Sequence, residues 1–284
     1  MNRNTVTVDG SKEKRRYLTL LAGTVALIGS LFIGIAAGAV PITLREVFEV
    51  IQGVTQSENY RIIYYIRMPR VICAALTGTN LALAGCILQG ILRNPLADPG
   101  IIGVTAGAGL AAMALMLISP ELTYFVPFAA FGGAVVASIV VFLLAWEHGI
   151  HPLRLILAGV AIAAFFGGGS AALSVFFSDR IQGTVNWMAG GFAGNSWRHV
   201  VMILPYSAVG IVATMCSYRK LNALQLGDDV AASLGLNVER VRFFLLALSA
   251  LLAASAVSVA GLLGFVGLVI PHIMRLIVGS DFEY

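Results

Sequence analysis

Residues 71 to 118 read VICAALTGTNLALAGCILQGILRNPLADPGIIGVTAGAGLAAMALMLI and carry only two charged side chains, Arg93 and Asp98. The stretch divides into an apolar run over 71–92, a polar turn over 93–100 and a second apolar run over 101–118. A helix crossing a hydrocarbon core of about 30 Å needs about 20 apolar residues. The two runs therefore predict two membrane crossings joined by a tight turn. Pro95 and Pro99 end helices, Asp98 can cap the helix that follows, and Gly103, Gly107 and Gly109 permit close backbone approach in the second span.

The same test applied outward finds spanning runs at 17–38, 124–146, 155–177 and 200–218. The region 243–279 would extend to about 55 Å as one helix at about 1.5 Å per residue, so it must fold back. Gly261, Gly264 and Gly267, followed by Pro271, offer the flexible backbone and the missing donor for that reversal. Eight crossings are expected, in an all-α polytopic membrane protein. Composition agrees. Hydrophobic residues make up 58% of the 284 and charged residues 11%, against roughly 25% charged in soluble domains, so polar side chains are too few to coat a sphere in water. The lipid bilayer is the solvent for most of this surface.

Residues 1–16 read as a cytoplasmic tail and 17–284 as the membrane domain. Lys12, Lys14, Arg15 and Arg16 before an apolar run, with Ala37-x-Ala39 after it, imitate a secretory signal. The run is about 22 residues, longer than the roughly 7–15 of a signal core, and a retained first helix is expected. With the N-terminus inside, inner segments hold twelve of the 18 lysines and arginines and outer segments six, as the positive-inside rule requires. Four of those six, Arg45, Arg61, Arg67 and Arg70, crowd into the first outer loop. This local excess calls for a reason.

Several chemistries are excluded. The net charge of +4 is small and dispersed, which argues against a nucleic-acid partner. Cys73, Cys86 and Cys216 lie in apolar runs without ligand spacing and read as packing residues. No G-x-x-x-x-G-K-[ST] loop occurs, nor any Gly-Lys pair, so ATP hydrolysis by that route is absent. No H-E-x-x-H or G-x-S-x-G appears. Most of the four histidines lie near membrane ends, and His148 and His151 lack a carboxylate to complete a metal site. No catalytic residue, metal or cofactor is expected. Ionisable residues are almost missing from the spans, so a proton-coupled carrier is disfavoured and movement should draw on a partner.

Three constellations remain. Arg67-Met68-Pro69-Arg70, at the outer start of the second span, places two guanidinium forks three residues apart. They suit an acidic docking partner or lipid phosphates. At the inner end, Asn94, Pro95, Leu96, Ala97, Asp98 and Pro99 form a rigid turn, a fixed constriction if a path runs beside it. Within the span above it, Thr77, Asn80 and Gln89 either bond neighbouring helices or line a polar path. The third is the inner loop 219–242. Asp228 and Asp229 cap a short helix carrying Ala231, Ala232 and Leu234, Gly235 stops it before Leu236, and Asn237 can cap a second. Too short to stand alone, it rests on its own membrane domain or on a cytoplasmic subunit.

In these stretches the sequence resembles the FecCD-type permease family, membrane subunits of ABC importers for iron-siderophore complexes, haem and vitamin B12. The matching segments are RMPR at 67–70, GCILQGILRNPLADPGIIGVTAGAG at 85–109 and PLRLILAGVAI at 152–162. WMAGGFAGNSW at 187–197, LGDDVAASLGLNVERVR at 226–242 and GFVGLVIPHIMR at 264–275 complete the set. The resemblance implies that Arg67 and Arg70 receive an extracytoplasmic substrate-binding protein. It implies that Asn94 to Pro99 lie at a cytoplasmic gate, that 226–242 seats on a cytoplasmic ABC ATPase subunit, and that 187–197 is a short outer helix region. It further implies a dimer of permeases in a bacterial cytoplasmic membrane, an iron-siderophore cargo ahead of haem or cobalamin, and a ten-helix fold. About two helices would then follow the GSDFEY with which this sequence stops, and a C-terminal truncation is expected. An intramembrane enzyme or a non-transporting scaffold are the rival classes, and neither finds a supporting constellation.

Overall fold

The computed structural model describes residues 9–55, 58–147, 149 and 151–282, with side chains from Lys14 onward; His148 lies outside the described residues. Helix α1 runs Asp9–Ala36 and a short α2 Leu44–Ile51. A π-helical segment, Ile62–Arg67, leads directly into α3, Met68–Leu92. Helices α4 (Val104–Ile118), α5 (Val126–Ala145), α6 (Pro152–Phe176), α7 (Gln182–Met188) and α8 (Trp197–Met215) follow. The rest comprises α9 (Tyr218–Gln225), α10 (Asp228–Ser233), α11 (Val238–Ala260) and α12 (Val266–Val278). Six helical stretches are long and apolar enough to cross a membrane, and α4 and α12 are shorter apolar helices, together the eight of the sequence reading.

The differences from expectation have local causes. The second span starts at Ile62 rather than 71, because the apolar IIYYI run joins α3 through the π turn. Arg67 and Arg70 thus lie inside a continuous helix and not in a loop. The reversal after α11 occupies 261–265, where Gly261 (φ 70) and Phe265 (φ 67) take left-handed backbone; Gly267 and Pro271 sit within α12. At 13 residues α12 is about 20 Å long, so it reaches only part of the way across. The 187–197 segment is mostly loop, since α7 ends at Met188 and Gly190 and Gly191 carry positive φ. Helix α2 was not foreseen. Its eight residues are held by a capping box in which Thr43 Oγ1 accepts from Glu46 N–H and Glu46 Oε2 accepts from Thr43 N–H at 2.7 Å.

Helices α3 and α11 form the centre of the bundle. From Leu245 to Ala260 α11 is almost wholly buried, whereas α1 and α6 present most of their surface outward. Small residues set the approach: a Cβ at Gly85 in α3 would overlap the carbonyl of Gly267 in α12, and one at Gly107 in α4 the carbonyl of Gly133 in α5.

The connections sort into two ends, as an even alternation of crossings requires. At one end Arg16 donates to the Val278 carbonyl, Arg93 to the Leu224 carbonyl and Asn222 to Asp281. At the other, Trp197 donates to the Tyr64 carbonyl, Arg198 to the Tyr124 carbonyl and Gly191 N–H to the Ala260 carbonyl. The substitution Gly85→Val should lower stability by about 3 kcal/mol, the upper range of overpacking costs. Gly78→Ala, with open space around its position, should be neutral or slightly stabilising. Thermal melts in detergent check the contrast, and equal behaviour of the two would refute the α3–α12 contact.

Candidate functional site

At the end of the bundle that carries Trp197 and Arg198, Arg67 is only 8% exposed. One guanidinium nitrogen donates to the carbonyls of Ile35 and Ala36 at 2.9 and 2.7 Å, the other to the Val40 carbonyl at 2.6 Å. The first two carbonyls end α1 and the Val40 carbonyl lies in the loop beyond it, and Gly38 leaves room for the planar group, since a Cβ there would stand 2.8 Å from Arg67 Cζ. The docking expectation for the arginine pair therefore divides. Arg67 is committed to clamping α1, and its burial removes it from an outer docking surface. Arg70, one helical turn on, is half-buried and pairs with no carboxylate among the described residues. Arg61, exposed, stands beside a Tyr60, Tyr64, Tyr65 and Trp197 cluster whose ring centroids lie 5.0 to 6.3 Å apart.

Within the span, Asn80 is 0% exposed and its Nδ2 donates to Ser255 Oγ of α11 at 2.9 Å. Thr77 is buried on the same face. Asn80 thus joins α3 to α11, as the helix-bonding alternative has it, whereas Thr77 Oγ1 and Asn80 Oδ1 meet no partner among the described residues. Gln89 has a more specific task. Pro271 lacks the N–H that would bond the Gly267 carbonyl, and Gln89 Nε2 reaches that oxygen at 3.4 Å and the Leu268 carbonyl at 3.1 Å. It also donates to the Ala97 carbonyl of the inner turn at 3.2 Å, and its Oε1 accepts from Arg275 at 2.5 Å.

The turn over 93–100 is closed by local hydrogen bonds. Asn94 Oδ1 accepts from Leu96 N–H at 2.9 Å, Asp98 Oδ1 accepts from Gly100 N–H at 2.8 Å, and a single 3₁₀ turn over Pro99–Ile102 precedes α4. Burial pushes the Asp98 carboxyl above its ordinary range, against the Gly100 N–H that favours its ionised form. Pro95 and Leu96 are exposed, while Ala97 and Pro99 are buried, Pro99 against Gly267. A cavity of about 430 Å³ opens beside the turn, lined by Gln89, Arg93, Asn94, Pro95, His272 and Arg275 among others.

In the 219–242 loop, α10 begins with Asp228 and Asp229 at its first two positions, but neither is the cap: Gly227 holds that place without a side-chain bond. Asp228 instead accepts from Arg93 and Arg242. Burial would raise its carboxyl, and Arg242 and Arg93 outweigh this and hold it below the usual carboxylate range. Gly235 (φ 83) ends the helical run and Asn237 Oδ1 caps α11 by accepting from Arg240 N–H, both as read from the sequence. Ala231 is buried inward and Leu236 half-buried, whereas Ala232 is exposed and Leu234 is 62% exposed. Val230 and Leu234, one helical turn apart at 43% and 62% exposure, form a short exposed apolar stripe on this end, and Leu226, also exposed, is set off from them by the non-helical Gly227 (φ 115).

A helical bundle with six stretches long and apolar enough to cross a membrane, and with charged residues gathered at its two ends, is a polytopic membrane protein in class. More narrowly, the chain belongs to the FecCD transport family, whose sequence model matches residues 26–284. The Fe(3+)-citrate import system permease protein YfmE of Bacillus subtilis (strain 168) is 38% identical over 96% of this chain and 82% of its own length. The iron(3+)-hydroxamate import system permease protein FhuB of the same organism is 38% identical over 94% of this chain and 70% of its own. A solved transporter assigned to the metal-chelate ABC type, in an inward-facing conformation, superposes with a TM-score of 0.80 at 28% identity, over 94% of this chain and 84% of that one.

Arg67→Ala should cost about 3 kcal/mol, since charge-assisted bonds are lost and carbonyls are left unmet. A cysteine pair replacing Gly34 and Val71, which face each other across α1 and α3, should cross-link less in that background. Undiminished cross-linking would show that Arg67 does not hold α1.

Proposed function

We propose that the chain is the membrane-spanning permease subunit of an ABC importer that carries an iron-siderophore or related metal chelate inward, with ATP hydrolysed in a separate subunit. The observation that carries this reading is family membership along nearly the whole chain, joined to relatives named for Fe(3+)-citrate and iron(3+)-hydroxamate import. Haem or cobalamin is the alternative cargo; a Halobacterium salinarum relative named as a cobalamin import permease is 39% identical over 76% of this chain. The chain sits in a bacterial cytoplasmic membrane with its N-terminus inside, and pairs with a second permease. Arg70 and the exposed Arg61 with its tyrosines receive the substrate-binding protein outside. Asn94 to Pro99 flank the inner end of the path.

The short apolar stripe of Val230 and Leu234 supports the ATPase contact, because exposed apolar side chains beside Asp229 on a polar loop are costly in water and suit a partner cleft. Proteoliposomes holding the permease, its ATPase and its binding protein should take up labelled ferric chelate only with ATP. No ATP-driven uptake of ferric citrate, ferric hydroxamate, haem or cobalamin would overturn the reading. Leu234→Arg should weaken ATPase binding by about 2 kcal/mol, roughly thirty-fold, in pull-down titrations. Unchanged affinity would remove the stripe from the interface.

A further inference from the structure

Three elements meet at one carboxylate, and a fourth is tied to it through Arg93. Asp228 opens α10; Arg242 lies in the first turns of α11, is 5% exposed, and holds both Asp228 oxygens at 2.8 and 3.0 Å. Arg93 ends α3 and reaches 135 residues along the chain to the same carboxylate. Its Nε donates to the Leu224 carbonyl at the end of α9, 2.9 Å away. Arg93 is also the residue directly before Asn94, and its backbone is held left-handed at φ 48, a conformation uncommon outside glycine. The side chain that anchors the start of the inner turn and the side chain at the base of the central helix are thus fixed to the same atom group. Asp229, its neighbour, is exposed and makes no ion pair among the described residues.

A joint of this kind transmits displacement. If α10 moves, Asp228 must carry Arg93 and Arg242 with it or give up its bonds to both; Arg242 is buried, whereas the Asp228 and Arg93 side chains are 49% and 42% exposed, so the joint can exchange partners with water on one side while its Arg242 side stays fixed in the fold. The two arginines lead to the two structures that would have to move for an inner opening: the turn 94–99, wedged by Pro99 against Gly267, and α11, packed along α3.

We propose that Asp228 is a positioning residue that couples displacement of α10 to the inner turn and to α11 through Arg93 and Arg242, and thereby sets how much cargo moves per ATP hydrolysed. This rests on the permease reading above, and it assigns Asp228 a role inside the membrane subunit, separate from contact with the ATPase.

The test uses the complete reconstituted complex, with uptake of a labelled ferric chelate and ATP turnover measured in the same vesicles. Asp228→Asn should keep ATP turnover close to that of the unaltered complex while uptake per ATP falls about ten-fold, within the usual range of coupling energies. Asp228→Glu should restore much of the ratio. Arg93→Gln, which spares the Asp228–Arg242 pair, should lower the same ratio, and it decides the matter if Asp228→Asn fails to assemble. A merely structural carboxylate would lower uptake and turnover together with their ratio intact, and that result would overturn the proposal, as would a normal ratio in Arg93→Gln. If the unaltered complex shows no ATP-driven uptake, the permease reading falls and this inference with it.

Discussion

A carbonyl left open at a helix break finds no water inside a hydrocarbon slab, so protein must supply the donor. The irregular places in this bundle are organised around that constraint. Arg67 meets the carbonyls that end α1, Gln89 meets those that Pro271 leaves short in α12, Arg93 meets the end of α9, and Trp197 meets Tyr64 in the π turn. Each of these polar side chains could be mistaken for a ligand-binding group when seen in sequence. In the folded chain each one first stitches a helix terminus to a neighbouring helix, and what remains for function is the set of groups left over after that stitching.

That division explains what was legible in the sequence. Spans longer than about 20 apolar residues announce themselves, and the prolines and Asp98 of the inner turn act within a few residues of their own position, so their geometry followed from local rules. The role of Arg67 did not, because its partners lie about thirty residues upstream and nothing near it hints at open carbonyls. The same holds for Asp228, read as a helix cap from its neighbours alone and instead claimed by arginines 14 and 135 residues away. Asn80 could have faced a path or a helix, and only the placement of Ser255 decided it. Local chemistry is written locally, whereas the competition between a cap and a distant ion pair is settled by tertiary packing.

The short helix α12 shows how a strained element is retained. Its start is pressed against α3 at Gly85 and against Pro99, its proline-broken carbonyls are served by Gln89, and Gln89 is in turn held by Arg275 from α12 itself. The 94–99 turn, the end of α3 and the start of α12 therefore share one hydrogen-bonded side chain. A rearrangement of the inner end has to exchange these bonds as a set, which favours two discrete arrangements over gradual loosening.

The dependence of α1 on Arg67 bears on how the protein is made. Helix α1 leaves the ribosome before the side chain that secures its end, which is translated about thirty residues later, a delay of about 1.5–6 s at ordinary elongation rates of about 5–20 residues per second. Until the following segment arrives, the carbonyls that Arg67 will meet must find other donors, so the fastening of α1 is a late step in a chain built from its N-terminal side.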